Sequence, residues 1–382
     1  MNVQQIIMRS PLCLLGLLGL TLFSSPVAAQ VFDSGPSDPT LFEGSVTELP
    51  TDTNIGDFQS RGGDLLPTQL NVIAGGSIGF LFVANSGAEI NISDGSIGAS
   101  LDANDGSEVN ISGGTVGNGV DANLGSLINI SGGTVGDLFD ANSGSVVNIS
   151  GGVVGDLFDA NIGSAVSISG GSVGSGFNAS TTVDISGGSV GDGFDAFSGS
   201  VINISAGVIG ANFDANVGSV VNISGGEVGG GFEASTGSEV NIRGGVIDAG
   251  FVANGSVNVF GRDFLVDGQS VGDISIGETL MITDRDVTLS GLLSDGSDFS
   301  FVLNSTVVEG EDFFGPNANL SLTFFLVLGD SNLDGEVGFQ DIPAFIEIMV
   351  TGTFLDEADI NRDGLVNAMD IPPFIQLLIS LV

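Results

Sequence analysis

Apolar and polar residues alternate in a unit that recurs through the middle of the chain and reads roughly V-N-I-S-G-G-x-V-G-x-x-F-D-A-N-x-G-S. In V-N-I-S the alternation places Val and Ile on one side of a strand and Asn and Ser on the other. Gly recurs at fixed places in the unit, which disfavours a helical repeat. A short, fixed period with this pattern predicts a solenoid of stacked parallel β coils.

The Asn of V-N-I-S defines the period and recurs eleven times. Successive members of this column are mostly 19 residues apart, as Asn110 and Asn129 are. One interval is a residue longer and two are shorter. Both short steps lose residues between the Phe and the next member of the column, where a surface corner tolerates shortening. We therefore expect a mainly β fold with about eleven 19-residue coils over residues 68–261. The column comprises Asn71, Asn91, Asn110, Asn129, Asn148, Ser167, Asp184, Asn203, Asn222, Asn241 and Asn258.

Stacking brings equivalent residues of successive coils about 4.8 Å apart. The Phe of each unit is therefore predicted to form an internal aromatic column, with the Ala two positions later also facing inward. Gly-Gly and Gly-Ser pairs are predicted to turn the corners, because Gly adopts positive φ without steric cost. The aromatic column comprises Phe139, Phe158, Phe177, Phe194, Phe213, Phe232 and Phe251, continued by Leu101 and Val120.

Two outward columns are candidates for function. The Asn-x-Ser column is either a hydrogen-bonding ladder or a flat, regular polar face of the kind found on ice-binding solenoids. An acidic column on the Asp of F-D-A is either a row of solvated carboxylates or a row of bound calcium ions. The acidic column comprises Asp102, Asp121, Asp140, Asp159, Asp195, Asp214 and Glu233.

Three segments flank the repeat. Residues 1–29 read as a secretory signal peptide, with Arg9 before an apolar run and a small-residue cleavage pattern before Gln30. Residues 30–67 and 262–327 lack the repeat and are expected to cover the solenoid ends, since an open sheet edge promotes aggregation. The second of these is a β cap or a small β domain, with short strands predicted at 280–282, 287–289 and 299–303.

Two oxygen-rich loops, D-S-N-L-D-G-E-V-G-F-Q-D and D-I-N-R-D-G-L-V-N-A-M-D, lie near the C-terminal end of the sequence. Loop positions 1, 3, 5 and 12 carry side-chain oxygens and Gly occupies position 6, as in an EF-hand calcium loop. The pattern predicts two Ca²⁺ sites, each completed by the backbone carbonyl at position 7. The predicted ligands are Asp330, Asn332, Asp334, Glu336 and Asp341 for the first site, and Asp359, Asn361, Asp363, Leu365, Asn367 and Asp370 for the second.

Each loop runs into a predicted helix, over 342–350 and 371–378, with Pro in the first turn. Two such loops, each ending in Asp and followed by one helix, resemble a type I dockerin over residues 328–382. The resemblance implies a small α-helical EF-hand domain that binds calcium and docks to a cohesin-like or cell-envelope protein. Dockerins often join complexes that degrade polysaccharide, and the whole layout resembles secreted planctomycete proteins.

The composition excludes several kinds of catalytic, metal and binding site. Beyond residue 29 the sequence contains no Cys, His, Trp, Tyr or Lys, which excludes disulfides, thiolate zinc sites and Ser-His or Cys-His catalysis. A formal net charge of −40 opposes nucleic-acid binding. No transmembrane anchor is expected once the signal peptide has been removed.

Three functions are compatible with these features. The first is a secreted, non-catalytic structural or adhesive protein, extracellular or at the cell surface, that binds calcium and docks through its C-terminal module. The alternative is a dockerin-bearing glycoside hydrolase, polysaccharide lyase or accessory subunit that contacts polysaccharide. Uniform coils without long loops, and the missing Trp and Tyr platforms, weigh against that alternative. The third is ice or mineral binding by the flat ladder face.

Overall fold

The computed structural model describes residues 30–34, 54–55, 68–74, 76–84, 87–272, 278–324, 329–332, 337–353, 355, 357–361 and 365–380. These residues form a mainly β parallel solenoid of about ten turns, followed by two short helices. The predicted solenoid is therefore confirmed. The predicted signal peptide, residues 1–29, lies outside the described residues.

Each repeat contributes a long strand to one sheet and a short strand to a second sheet. The long strands cover V-N-I-S-G-G-x-V and alternate buried apolar residues with outward polar ones, as the period of two requires. The long strands of the repeat are Glu108–Val116, Leu127–Val135, Val146–Val154, Ala165–Val173, Thr182–Val190, Val201–Ile209, Val220–Val228 and Glu239–Ile247.

The short strands cover F-D-A or its equivalent, with the first and third residues buried and the second facing outward. They stack in parallel along the other side of the core. The short strands are Phe82–Ala84, Leu101–Ala103, Val120–Ala122, Phe139–Ala141, Asp159–Ala160, Asn178–Ala179, Asp195–Ala196, Asp214–Ala215, Glu233–Ala234 and Val252–Ala253.

Strand registers confirm the alignment of the repeats. Asn129 lies opposite both Asn110 and Asn148 in neighbouring coils. The register also holds across a shortened step, where Ser167 pairs with Asp184. The missing residues are therefore absorbed in a corner and leave the strands intact, as the sequence predicted.

The coil turns at three corners, and the sequence predicted two of them. Gly133, in a Gly-Gly pair, has φ +74°, and a Cβ there would lie 2.7 Å from the carbonyl carbon of Gly113 in the preceding coil. Gly125, in a Gly-Ser pair, has φ +77°. The third corner precedes the buried Phe, where Leu138 and Leu157 adopt left-handed backbone at φ 63° and 61°. Several other coils carry Gly at this position, such as Gly119 at φ 75°, and this recurrent Gly was the signal that the sequence reading missed.

The predicted aromatic column fills the core. Successive Phe rings from Phe139 to Phe251 have centroids 4.6–5.0 Å apart, and most pairs are stacked. The Ala column beside it is also fully buried. Repetition therefore turns one buried Phe per coil into a continuous apolar stack, which adds to the hydrophobic stabilisation from the buried Val and Ile residues of the long strands.

Strands outside the repeat extend the stack at the N-terminal end. Gln30–Ser34 pairs in parallel with Thr68–Val72, and Asn54–Ile55 pairs in parallel with Phe82–Ala84. Part of the segment predicted as an N-terminal cap therefore continues the sheets. The remaining strands at this end are Ser77–Ile78, Ala88–Ile92 and Ser96–Ile97.

The segment predicted as a C-terminal β cap also contains a further coil. Asn319–Phe324 pairs in parallel with Ser256–Val266, and Phe313–Phe314 pairs in parallel with Val252–Ala253. Thr279–Ile282 then lies antiparallel on Asn319–Phe324 and covers that edge of the sheet. The other strands here are Gln269–Ser270, Thr288–Leu293 and Asp298–Val302.

The C-terminal module contains helices α1 (Asp341–Thr351) and α2 (Ile371–Ser380), close to the predicted bounds. They share a small core in which the rings of Phe345 and Phe374 are 4.2 Å apart. Helix α1 ends at Gly352, whose left-handed φ of 69° lets its N–H bond the Ile348 carbonyl. Neither helix is long and apolar enough to cross a membrane, and the rest of the described chain offers no helix that is.

Candidate metal centre and outward columns

The last residue of each predicted calcium loop is an Asp with 0% exposure at the start of a helix. Asp341 Oδ1 accepts a hydrogen bond from the N–H of Asn332 (3.1 Å), and its Oδ2 accepts one from the N–H of Gly338 (2.7 Å). Asp370 does the same with Asn361 (3.0 Å) and Asn367 (2.9 Å). Both loops are therefore closed in the same way, from position 12 to positions 3 and 9.

The other predicted ligands take several positions. Asp330 and Asp359 are buried, whereas Asn332, Asn361 and Leu365 are exposed. Asn367 donates to the Leu365 carbonyl (3.3 Å) and accepts from the Met369 N–H (2.9 Å), so its side chain is held by its own loop. The predicted ligands Asp334, Glu336 and Asp363 lie outside the described residues. In the part of the chain that is described, no three His, Cys, Asp or Glu residues are grouped closely enough to hold a metal ion.

The chemistry of the module nevertheless fits a hard divalent cation. Every predicted ligand offers oxygen, the donor that Ca²⁺ prefers. Asp341 and Asp370 are fully buried, and no arginine of the described residues pairs with them. Backbone N–H groups satisfy their oxygen atoms without neutralising their charge. Because burying an uncompensated carboxylate is costly, a bound cation would stabilise this arrangement.

The two helices of the module present matching apolar side chains to solvent. Ile346 in α1 and Ile375 in α2 occupy equivalent positions and are 50% and 48% exposed. Val350 and Ile379, one turn further on, are 81% and 59% exposed. The duplication therefore extends from the loops to an exposed aliphatic pair on each helix.

The acidic column lies on the outer side of the short strands, with its members in register. Asp121 is paired with Asp102 on one side and Asp140 on the other. Partial burial, followed by the nearness of other carboxylates in the column, raises the pKa of Asp121, Asp140 and Asp214. Asn178 interrupts the column and donates to the Asp159 carboxylate at 2.7 Å. In Asp121, Asp140 and Asp214, burial and the neighbouring acids of the column both disfavour the charged form.

A second set of acids, which the sequence reading did not separate, has a structural role. Asp137 Oδ1 accepts the N–H of Asp156 (3.0 Å), and Asp156 Oδ1 accepts the N–H of Ser175 (2.8 Å). Asp192 likewise accepts the N–H of Ala211 (2.8 Å). Each carboxylate therefore satisfies a corner N–H of the next coil. The recurrent Asp after V-G was the available signal.

The Asn column is a hydrogen-bonding ladder. Asn129 donates its side-chain N–H to Asn110 Oδ1 at 2.9 Å, and Asn148 donates to Asn129 at the same distance. Ser131, two residues along, donates to the Ile111 carbonyl of the preceding coil. A second Asn ladder follows the Ala column at the Gly-Ser corner, through Asn123. Much of the outward polarity is thus used within the stack.

Three arginines of the described residues lie at the C-terminal end of the solenoid. Arg285 donates to five backbone carbonyls around the last coil. The Arg243 guanidinium lies 3.7 Å from the centroid of the Phe260 ring. Arg262 Nη1 lies 3.1 Å from Glu357 Oε1, which belongs to the C-terminal module. All three contacts are of a kind that holds structure together.

Comparison with known proteins gives no relative: no family model matches the chain, and neither curated proteins nor solved structures match it. The likeness to dockerins therefore depends on the two loops and helices alone.

Proposed function

We propose that this chain is a secreted, non-catalytic structural protein whose solenoid acts as a rod and whose C-terminal module binds two calcium ions and docks to a partner. One observation carries the proposal. The two matching loops, which begin at Asp330 and Asp359, are each closed by a fully buried Asp that accepts N–H groups from the same two loop positions. A duplicated closure around uncompensated carboxylates is the arrangement that a pair of bound cations would complete.

In the proposed sites, each Ca²⁺ neutralises the buried acids of its loop and fixes the loop against its helix. Asp330, Asn332, Asp334, Asp341 and the Glu336 carbonyl would hold the first ion. The second would be held by Asp359, Asn361, Asp363, Asn367, Asp370 and the Leu365 carbonyl. Because the module has a small core, the binding energy of the ions adds directly to its folding stability.

The docking part of the proposal is supported by the duplicated aliphatic pairs. Ile346 and Val350 on α1, and Ile375 and Ile379 on α2, are exposed on a module that is only two helices in size. Apolar side chains grouped in this way are typical of protein contact surfaces. A cohesin-like or cell-envelope protein is the partner that the resemblance implies.

The non-catalytic part is supported by how the solenoid uses its polar groups. Asn, Ser and one set of Asp residues are hydrogen-bonded from coil to coil, and the described arginines hold the C-terminal end together. A rod with uniform coils offers length and stiffness, which suits a spacer that presents a docking module.

Calorimetric titration of the full chain with Ca²⁺ tests the proposal. We expect two ions to bind per chain, and binding to disappear in the double variant Asp330→Ala with Asp359→Ala. Asp298→Ala, which removes an exposed acid outside the loops, is the matched control and should bind as the unmodified chain does. Unchanged stoichiometry in the double variant would contradict the proposal.

A further inference from the structure

Glu357 joins the module to the solenoid through an ion pair. It lies between α1 and the second loop, two residues before Asp359. Its Oε1 atom is 3.1 Å from Nη1 of Arg262, in the last long strand of the solenoid, Ser256–Val266. The Glu357 side chain is 2% exposed and that of Arg262 is 11% exposed. The ion pair is therefore buried at the junction between the two parts of the molecule.

The backbone of Glu357 also links the two loops. Its carbonyl accepts the N–H of Gly329 at 2.7 Å, and Gly329 immediately precedes Asp330, the first residue of the first loop. The next residue, Ala358, is fully buried in the module core with Phe345. One short segment thus touches the start of both loops, the module core and the end of the solenoid.

This placement links two equilibria, calcium binding by the loops and docking of the module onto the solenoid end. A buried ion pair holds its partners in a fixed geometry, because a buried charge is costly unless an opposite charge lies beside it. The position of Glu357 is set by where the two loops begin. Anything that orders the loops therefore also orders the pair, and the linkage must act in both directions.

We infer that calcium binding by the loops and docking of the module onto the solenoid end are thermodynamically coupled through the Arg262–Glu357 ion pair. Calcium fixes the module against the rod, and its removal releases the module to move relative to the rod. The inference depends on the calcium sites proposed above. It adds that the exposed aliphatic pairs of α1 and α2 have a defined direction relative to the rod only when calcium is bound.

Spin-label distances in the full chain test this coupling. The only Cys of the sequence, Cys13, is replaced by Ser, and labels are placed through Val217→Cys on the rod and Val350→Cys on α1, both highly exposed positions. We expect one narrow distance distribution with Ca²⁺ and a broad one with chelator. Arg262→Met should keep the distribution broad even at saturating Ca²⁺ and weaken calcium affinity by about fivefold or more.

Two further variants distinguish loss of the ion pair from loss of the fold. Arg243→Met removes a neighbouring arginine that contacts Phe260 rather than the module, and it should behave as the unmodified chain. Arg262→Glu combined with Glu357→Arg reverses the pair and should restore the narrow distribution. If the unmodified chain binds two Ca²⁺ and its distances are the same with chelator, the coupling is wrong while the calcium sites stand. If it binds no Ca²⁺, both proposals fail.

Discussion

Asn129 in the solenoid and Asp341 in the C-terminal module both accept hydrogen bonds from within the chain, but their partners differ in kind. Asn129 pairs with its own equivalents, donating to Asn110 and accepting from Asn148, so that neutral amides satisfy one another. Asp341 is fully buried in the module and accepts two backbone N–H groups. The solenoid satisfies its polar groups by repetition, whereas in the module we propose that a bound cation balances the buried carboxylates.

The apolar cores differ in the same sense. In the solenoid a Phe from each coil stacks on the next, so every added coil buries as much as the last. In the module, Phe345 and Phe374 form one isolated contact with few buried neighbours. We therefore expect two unfolding transitions that respond to different perturbations, and three experiments separate them.

The largest effect is expected from Phe194→Ala. Its ring is fully buried between Phe177 and Phe213, and truncation should lower the free energy of unfolding of the solenoid by about 4 kcal/mol through lost contacts and a cavity. Chemical denaturation monitored by circular dichroism gives this value. Phe197→Ala, at an exposed corner, is the control. Equal losses in the two variants would show that the stack is not what stabilises the rod.

A smaller effect is expected from chelation, and only in the module. At a calcium concentration ten times the dissociation constant, each bound ion adds about 1.4 kcal/mol to stability, or about 2.8 kcal/mol for the two proposed ions. Scanning calorimetry with excess chelator should therefore lower the temperature of the module transition and leave the solenoid transition in place. A solenoid transition that moved by as much would indicate that the acidic column also binds calcium.

The smallest effect is expected from pH on the solenoid transition. Burial and neighbouring charge raise the pKa of Asp121, Asp140 and Asp214 above 3.8 in the folded chain. The folded state then binds protons more tightly than the unfolded state, so stability rises as pH falls through the raised pKa values towards 3.8, and is lost as pH rises again. Solvent screening keeps this below about 1 kcal/mol per carboxylate.

Denaturation midpoints measured between neutral and mildly acidic pH test this sign. Asp140→Asn should reduce the pH dependence, because it removes one charge from the middle of the column. Asp298→Asn, outside the column, should leave it unchanged. A rod that became less stable over the same acidification would contradict the raised pKa values of the column.

Much of the rod was predictable because each coil repeats the same side chains. The registers, the Phe column and the bounds of α1 and α2 follow from the sequence pattern. The further coil at Asn319–Phe324 did not, because its Ser321 lies 63 residues from Asn258, its partner in the column, and the repeat pattern is lost in between. The left-handed corner at Leu138 was missed because Leu rarely adopts positive φ, although several other coils carry Gly at the equivalent position.

The candidate site was less accessible to prediction. Loop spacing indicated which oxygens belong to each predicted calcium site, but not that Asp341 and Asp370 would be fully buried. The contact between Arg262 and Glu357 joins residues that are distant in the sequence and lie in separate parts of the molecule. No local sequence pattern therefore predicts it. The calcium ligands themselves stay predictions.

The final coil imposes an order on folding. Within the repeat, neighbouring rungs join residues that are close in the sequence, as Asn129 and Asn110 are, so the stack can grow as each coil emerges. Ser321 must instead find Asn258 across 63 residues, and closing that longer loop costs about 1 kcal/mol more in chain entropy. The rod therefore completes its C-terminal edge last, and until it does, the growing stack offers an open strand to any other copy nearby.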